Sequence, residues 1–382
     1  IGAQLKEDEI KEGINILFTE IERVKQNGFI PKELEIEKEK KILSYEQAIK
    51  EKKTRTNNSI VTEYTRNFLE NEFVSGEERE YELMKQLLPT ISVNDLNNHF
   101  LNWLSFDDRI INIIYPEKIK NIISKVELLN LETKIQKNKL SQFTSLVKDE
   151  PLLEKKLTGS KIIFTKNYPS INTREFRLEN GVQVFLKPTK NKEKSFSFEA
   201  TSMGGYSHAN LTTLPSAKIT EHLIAESGLG DFSRVELVNK VDPSFAGVEV
   251  WIEPYQEGLK GEAITKYTKE LFELIYLNFT SVNFNETGLD NSKSILRERV
   301  RNENLNPSRV FFKKVLHAYY QDHPRREPWN LDLIDQIKLD KVNNFYMDRF
   351  ADSSDFVFTF VGDFSIDEMK PYIEKYLGSL PS

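Results

Sequence analysis

Residues 175–186 read E-F-R-L-E-N-G-V-Q-V-F-L, and this segment says most about the architecture of the chain. Apolar and polar side chains alternate on both sides of Asn180-Gly181, a pair that favours a two-residue type I′ turn. The segment therefore predicts a β-hairpin. Further strands are predicted over 196–202, 248–253 and 356–361, with helices between them. Strands that pair through hairpins and alternate with helices favour an α+β fold, in which helices back a mostly antiparallel sheet.

A helix predicted after the Gly204-Gly205 turn carries Lys218-Ile-Thr-Glu-His222. This segment differs by one residue from H-x-x-E-H, a pattern that puts two imidazoles on one helix face as zinc ligands, with a carboxylate between them as general base. Lys218 occupies the place of the first imidazole. A lysine amine is a cation at neutral pH and offers a metal no lone pair. The segment therefore indicates a disabled copy of a metal site.

The composition is that of a globular chain of 382 residues, a length that suggests two or three domains. Its net charge of −6 provides no basic surface for nucleic acid. No apolar run approaches the roughly 18 residues that span a membrane. The absence of cysteine excludes disulfides and thiolate metal sites. Because residue 1 is Ile and not Met, we interpret the chain as a fragment or a processed piece.

The first third of the chain is predicted to be helical. Apolar residues recur at helical spacing from Ile10 to Val24, and Gly28 follows as a stop signal. Pro31 suits the first turn of a second helix, which the pattern predicts to continue to about Leu69. Two more helices and one strand are predicted in this third, at 79–88, 93–104 and 109–115.

Several segments together resemble the insulinase-like (pitrilysin) family of zinc metallopeptidases, above all its large bacterial members with four homologous α+β domains. In the later part of the chain these are L-E-N-G-V at 178–182, the Gly204-Gly205 turn, Glu221-His222, F-T-F-V-G at 358–362 and Y-L-G-S-L-P at 376–381. In the earlier part they are the segments at 18–23, 27–29 and 32–35. Their order and spacing carry the match more than any one motif does.

The resemblance implies a division of the chain into three parts. Residues 1–126 match the later, helix-rich part of a truncated second peptidase-like domain. Residues 171–382 match a third peptidase-like domain, which is commonly inactive in this family. Between them, residues 127–170 are polar and poor in helical periodicity, and we interpret them as an inter-domain connector on the surface.

The resemblance also implies roles for four residues by position. Lys218 stands where the first zinc ligand would be, Glu221 where the general base would be, and His222 where the second ligand would be. Glu298, 76 residues after His222 (298 − 222), matches the third ligand. No intact catalytic set is therefore expected, no metal is expected in this chain, and His222 and Glu298 are only weak metal candidates. Zinc is expected in a first domain that this chain lacks.

An ion pair is the expected replacement for the metal. Lys218 would face Glu298, with Glu221 nearby, and fill the former metal position. Removing Lys218 alone would then leave uncompensated buried carboxylates, at a cost of about 3–5 kcal/mol.

The expected function follows from the resemblance. The parent is a zinc-dependent endopeptidase, and this chain is a non-catalytic portion, inactive alone, that forms part of a peptide-holding chamber. Its expected partners are a peptide substrate, which exposed strand edges could hold by β-augmentation, the N-terminal catalytic domain and a fourth domain. The bacterial members place it in the periplasm or outside the cell, with the cytoplasm as the alternative.

Two other functions fit the same residues. One is a non-catalytic scaffold or assembly protein of this fold. The other is a weak metal-binding module that uses Glu221, His222 and Glu298.

Overall fold

The chain divides into two compact units, Ile1–Ser145 and Leu146–Ser382. The structure, a computed structural model, describes residues 1–3, 5, 9–52, 55–104, 110–115, 119, 123–143, 150–191, 194–241 and 246–382. The range interpreted above as a connector, 127–170, contains most of one helix of the first unit and the first strand of the second. None of the described helices is long and apolar enough to cross a membrane.

The described part of the first unit is helical. Its helices are α1 (Ile10–Asn27), α2 (Pro31–Glu51), α3 (Asn57–Glu70), α4 (Glu77–Leu87), α5 (Val93–Trp103) and α6 (Lys125–Gln136). Helix α1 ends at Gly28, whose φ of +72° suits glycine. The continuous helix predicted from Pro31 is wrong, because the Thr56 hydroxyl accepts a hydrogen bond from the Ser59 N–H and starts α3 as a separate helix. The strand predicted at 109–115 is also wrong where it is described, since 110–115 lie in no helix or strand; residue 109 lies outside the described residues.

The second unit contains all the described strands. These are β1 (Ile162–Tyr168), β2 (Thr173–Leu178), β3 (Gln183–Pro188), β4 (Ser195–Met203), β5 (Gly228–Leu229), β6 (Gly247–Ile252), β7 (Gln256–Ile264), β8 (Val282–Asn283) and β9 (Val357–Gly362). Its helices are α7 (Leu214–Ala225), α8 (Arg234–Val241), α9 (Thr268–Thr280), α10 (Glu286–Leu305), α11 (Pro307–Tyr320), α12 (Leu331–Asp335), α13 (Leu339–Phe350) and α14 (Ile366–Tyr376).

Seven of these strands form one sheet in the order β1-β2-β3-β9-β4-β7-β6. Only β3 and β9 run parallel among the described pairings of this sheet. A continuous apolar core joins the sheet to α9, α13 and α14. This architecture confirms the predicted α+β fold with a mostly antiparallel sheet backed by helices.

The predicted hairpin is confirmed as β2 and β3, in which Glu175 faces Phe185. Its turn differs from the prediction. The Gly181 N–H donates to the Leu178 carbonyl at 3.0 Å, so Glu179 and Asn180 are the central residues. Only Gly181 has a positive φ there, +88°. A type I′ turn needs positive φ at both central residues, so the glycine follows a tight turn and is not part of its centre.

The predicted Gly204-Gly205 turn lies at the end of β4. Gly205 has a φ of +58°, and a Cβ there would lie 2.0 Å from the Glu253 carbonyl oxygen. Only glycine fits at this position. The turn brings the next residue, Tyr206, into hydrogen-bonding contact with Glu253, whose carbonyl accepts from the Tyr206 N–H at 3.0 Å.

Candidate functional site

Helix α7 carries the four-residue-spaced pair Lys218 and His222 on one face. Its buried face presents Ile219 and Leu223 to α10, where they join one apolar cluster with residues that include Leu296. Residues four apart on a helix are neighbours on its surface. The packing of α7 on α10 therefore leaves the Lys218–His222 face away from this apolar contact.

The Lys218 amine faces an aromatic ring. Its Nζ lies 6.0 Å from the ring centre of Tyr206. Burial lowers the pKa of the Lys218 amine, the charges of Arg326 and Arg325 lower it further, and Glu327 opposes them. Within the described part of the chain, Lys218 forms no ion pair with Glu221 or Glu298, so the predicted replacement of the metal by an ion pair is wrong.

Glu221 contacts the sheet. Its Oε2 accepts a hydrogen bond from the Ile252 N–H at 3.3 Å. Ile252 is the last residue of β6, the outermost strand of the sheet next to β7. The carboxylate at the general-base position thus bonds to a strand backbone.

The remaining two positions are solvent-facing. His222 is exposed. The Glu298 carboxylate accepts a hydrogen bond from Asn302 at 3.1 Å and lies 4.0 Å from the Arg301 guanidinium, with 44% of its side chain exposed. The Glu298 carboxylate therefore interacts with residues of its own helix, α10.

These residues do not fit a catalytic zinc ion. Such sites usually have three protein ligands and a water, whereas here at most His222 and Glu298 remain beside a cationic amine. Among the residues that the structure describes, no three His, Cys, Asp or Glu side chains lie close enough together to hold a metal.

The structure brings to this site a segment that sequence reasoning missed. The 3₁₀ helix Pro324–Arg326 lies against the Gly204-Gly205 turn. The Arg325 guanidinium donates to the carbonyls of Tyr206 and Ala209 at 3.2 and 2.6 Å. The only signal in the sequence is a pair of arginines between two prolines, about 100 residues from α7.

A buried ion pair braces the turn. The Arg349 guanidinium donates to Glu257 Oε1 at 2.9 and 3.2 Å. The other Glu257 oxygen accepts from the Gly205 N–H. Glu257 is fully buried, and the Arg349 side chain is 12% exposed. The Arg349–Glu257 pair therefore holds the backbone of the turn that leads into Tyr206.

Comparison with known proteins finds similar sequences and a similar fold. A family profile described as "Peptidase M16 inactive domain" matches residues 336–382. A zinc protease PQQL-like protein of Arabidopsis thaliana is 24% identical over 94% of this chain. A probable zinc protease PqqL of Haemophilus influenzae is 22% identical over 99% of it. The chain is thus similar to the M16 inactive-domain profile and to two proteins named as zinc proteases.

Both relatives are longer than this chain, which spans 36% and 41% of those two proteins. The crystal structure of the periplasmic protease PqqL from Escherichia coli shares the fold, with a TM-score of 0.58 at 18% identity. That similarity covers 97% of this chain and 41% of the E. coli chain. The matched profile is described as an inactive domain, and its 336–382 range does not include helix α7.

Unfolding measurements permit a test of the Lys218 amine. We expect Lys218→Met to raise the free energy of unfolding at pH 7. Because the pKa of Lys218 is lower in the folded chain than in the unfolded one, the charged amine opposes folding, and this penalty disappears as the pH rises above the ordinary value of 10.5. Since the side chain is partly solvated, the gain should stay below about 1 kcal/mol. Urea unfolding between pH 7 and 10.5 measures it.

Lys370→Met is the matched control, since Lys370 pairs with the exposed Asp367 on α14. It should give no gain at any pH. A loss of about 3–5 kcal/mol for Lys218→Met would instead restore the ion-pair hypothesis.

Proposed function

We propose that this chain is a non-catalytic portion of a zinc-dependent endopeptidase, where it forms part of a peptide-holding chamber and packs on the catalytic half. The observation that carries the proposal is the Lys218 amine, which stands at the first ligand position of an M16-type helix and faces Tyr206. An ammonium group there repels a metal ion. The fold is thus kept while the zinc chemistry is lost.

The proposal includes the domain assignment. Residues 1–126 are the later part of a second domain, 127–170 connect the halves, and 171–382 are a third, inactive domain. Zinc would be held by a first domain, and a fourth domain would complete the chamber. The two longer relatives named as zinc proteases support this reading, because the chain aligns with only part of each.

Peptide holding would use the open edges of the sheet. Strands β1 and β6 are the two outermost strands of the described seven-stranded sheet. An extended peptide can add to such an edge through main-chain hydrogen bonds alone. This mode of binding needs no catalytic group, so an inactive domain can supply it.

We further propose a bacterial periplasmic or secreted location for the parent. The support is the relative from Escherichia coli, which is described as a periplasmic protease.

An activity assay tests the central claim. The purified chain, incubated with zinc and a quenched fluorescent peptide, should show no cleavage above that of buffer. Glu221→Gln should leave this baseline unchanged, because the Glu221 carboxylate bonds to Ile252 and has no metal-bound water to activate. Zinc-dependent cleavage that Glu221→Gln abolishes would overturn the proposal.

Zinc titration by calorimetry adds a second readout. We expect no binding at micromolar zinc for the wild-type chain or for His222→Ala. Binding that His222→Ala removes would favour the metal-binding module over the peptidase portion.

A further inference from the structure

We infer that the lost metal position on α7 is an anion site, in which Lys218 and Arg326 hold a carboxylate of a bound peptide, while Arg325 fixes the turn and adds positive charge. The peptide part of this inference rests on the proposed function. The attraction for a carboxylate rests on the side chains alone.

Tyr206 is the centre of the site. Its ring faces the Lys218 amine at 6.0 Å, and its carbonyl accepts from Arg325 at 3.2 Å. Arg326 follows Arg325 directly and also acts on this tyrosine, since its charge lowers the pKa of Tyr206 against the larger raising effect of burial. Tyr206 therefore contacts Lys218 and Arg325, and the charge of Arg326 also acts on it.

Both walls of the site are held in place. On one side, the Gly204-Gly205 turn is fixed by the buried carboxylate of Glu257. On the other side, the arginines lie in the 3₁₀ helix Pro324–Arg326, and Arg326 also lies 5.0 Å from the ring centre of Tyr320. Because the groups are held before a ligand arrives, little ordering is left for binding to impose.

The charges of the site are not balanced. Within the described residues, neither Lys218, Arg325 nor Arg326 has a carboxylate at ion-pair distance. Glu327 is the carboxylate that acts on Lys218, and its Oε1 accepts from Asn330 at 3.3 Å. Glu253 acts on the neighbouring Tyr206, so three cations face two carboxylates. Burial is the largest cause of the lowered pKa of Lys218, and the two arginines add a repulsion. An incoming anion would relieve it.

A carboxylate suits these donors. A guanidinium group presents a planar fork that matches the two oxygens of a carboxylate, and a lysine amine adds a point charge. The half-buried Tyr206 hydroxyl, which makes no hydrogen bond to the described residues, can donate as well. A peptide offers this chemistry in two places: its acidic side chains and its C-terminus.

Calorimetric titration of the 382-residue chain with three peptides of one neutral sequence tests the inference. The first peptide is blocked at both ends, the second is blocked and carries one Glu, and the third has a free C-terminal carboxylate. We expect at least one carboxylate peptide to bind about tenfold more tightly than the neutral peptide at low salt. The carboxylate peptide that binds more tightly shows whether the carboxylate comes from an acidic side chain or from a C-terminus.

Substitutions test whether this gain in peptide affinity comes from the proposed site. Lys218→Gln and the exposed Arg326→Gln should each remove most of it, while Lys218→Arg and the distant control Lys370→Gln should keep it. If the neutral peptide binds as well as the other two, or if Lys218→Gln keeps the gain, the anion site is refuted and the peptide-holding function stands.

A readout without peptide separates the two proposals. After reductive ¹³C-methylation of the lysines, acetate at constant ionic strength should shift the Lys218 resonance and raise its pKa relative to chloride. If acetate does so while no peptide binds, the anion site stands and the peptide-holding function fails. If acetate and chloride act alike, the anion site is refuted.

Discussion

Arg349→Ala is expected to lower the free energy of unfolding by about 3–5 kcal/mol. Its guanidinium is the ion-pair partner of Glu257, which is fully buried, so the substitution leaves a carboxylate in the interior without a counter-charge. The loss should appear as a lower midpoint in urea at an unchanged slope. Because Glu257 also accepts from the Gly205 N–H, the variant should weaken carboxylate binding at Tyr206 too.

Arg297→Ala is the matched control for this substitution. Arg297 pairs with Asp335 at 2.7 Å, but the two side chains are 37% and 65% exposed. Exposed pairs contribute about 1 kcal/mol or less. If the two variants lost the same stability, burial of the Glu257–Arg349 pair would not be the cause.

Phe360→Ala is expected to cost a similar amount, about 3–5 kcal/mol. Phe360 lies on the central strand β9, is 0% exposed, and stacks on Phe272 of α9 and Phe198 of β4 at 5.3 and 5.6 Å between ring centres. Its removal opens a cavity between the sheet and the helix that backs it. Thermal and urea unfolding measure the loss.

Phe311→Ala controls for the chemistry of the substitution. Phe311 lies on α11 with 62% of its surface exposed. Truncation of an exposed side chain should change stability by about 0.5 kcal/mol or less. A loss comparable to that of Phe360→Ala would mean that the Phe311 face of α11 is covered in solution.

Local patterns predicted most of the second unit. The hairpin of β2 and β3 follows from alternation around one turn, because this signal acts over a few residues. Strand β7 was not among the predicted strands. Its glycines hide the alternation: a Cβ at Gly258 would lie 2.0 Å from the Ala200 carbonyl oxygen, and one at Gly261 would lie 2.1 Å from that of Gly247.

The candidate site was predictable only in part. The five-residue segment on α7 is contiguous, so its likeness to a zinc motif and the break at Lys218 are visible in the sequence. The partners of Lys218 are not visible in the sequence. Tyr206 comes from a turn before α7, and Arg325 and Arg326 come from a segment about 100 residues later, and only the folded chain brings them together.

The contact between Glu221 and Ile252 limits how the outer strand can be used. Since the Glu253 N–H donates to Gln256 in the neighbouring strand, alternation turns the Ile252 N–H outward. The Glu221 carboxylate accepts a hydrogen bond from this N–H, which is then not available to an added strand. An added chain could therefore pair with β6 only before Ile252, which fixes one end of its register. The same carboxylate makes the edge less able to recruit a second copy of the sheet, a recognised route to aggregation.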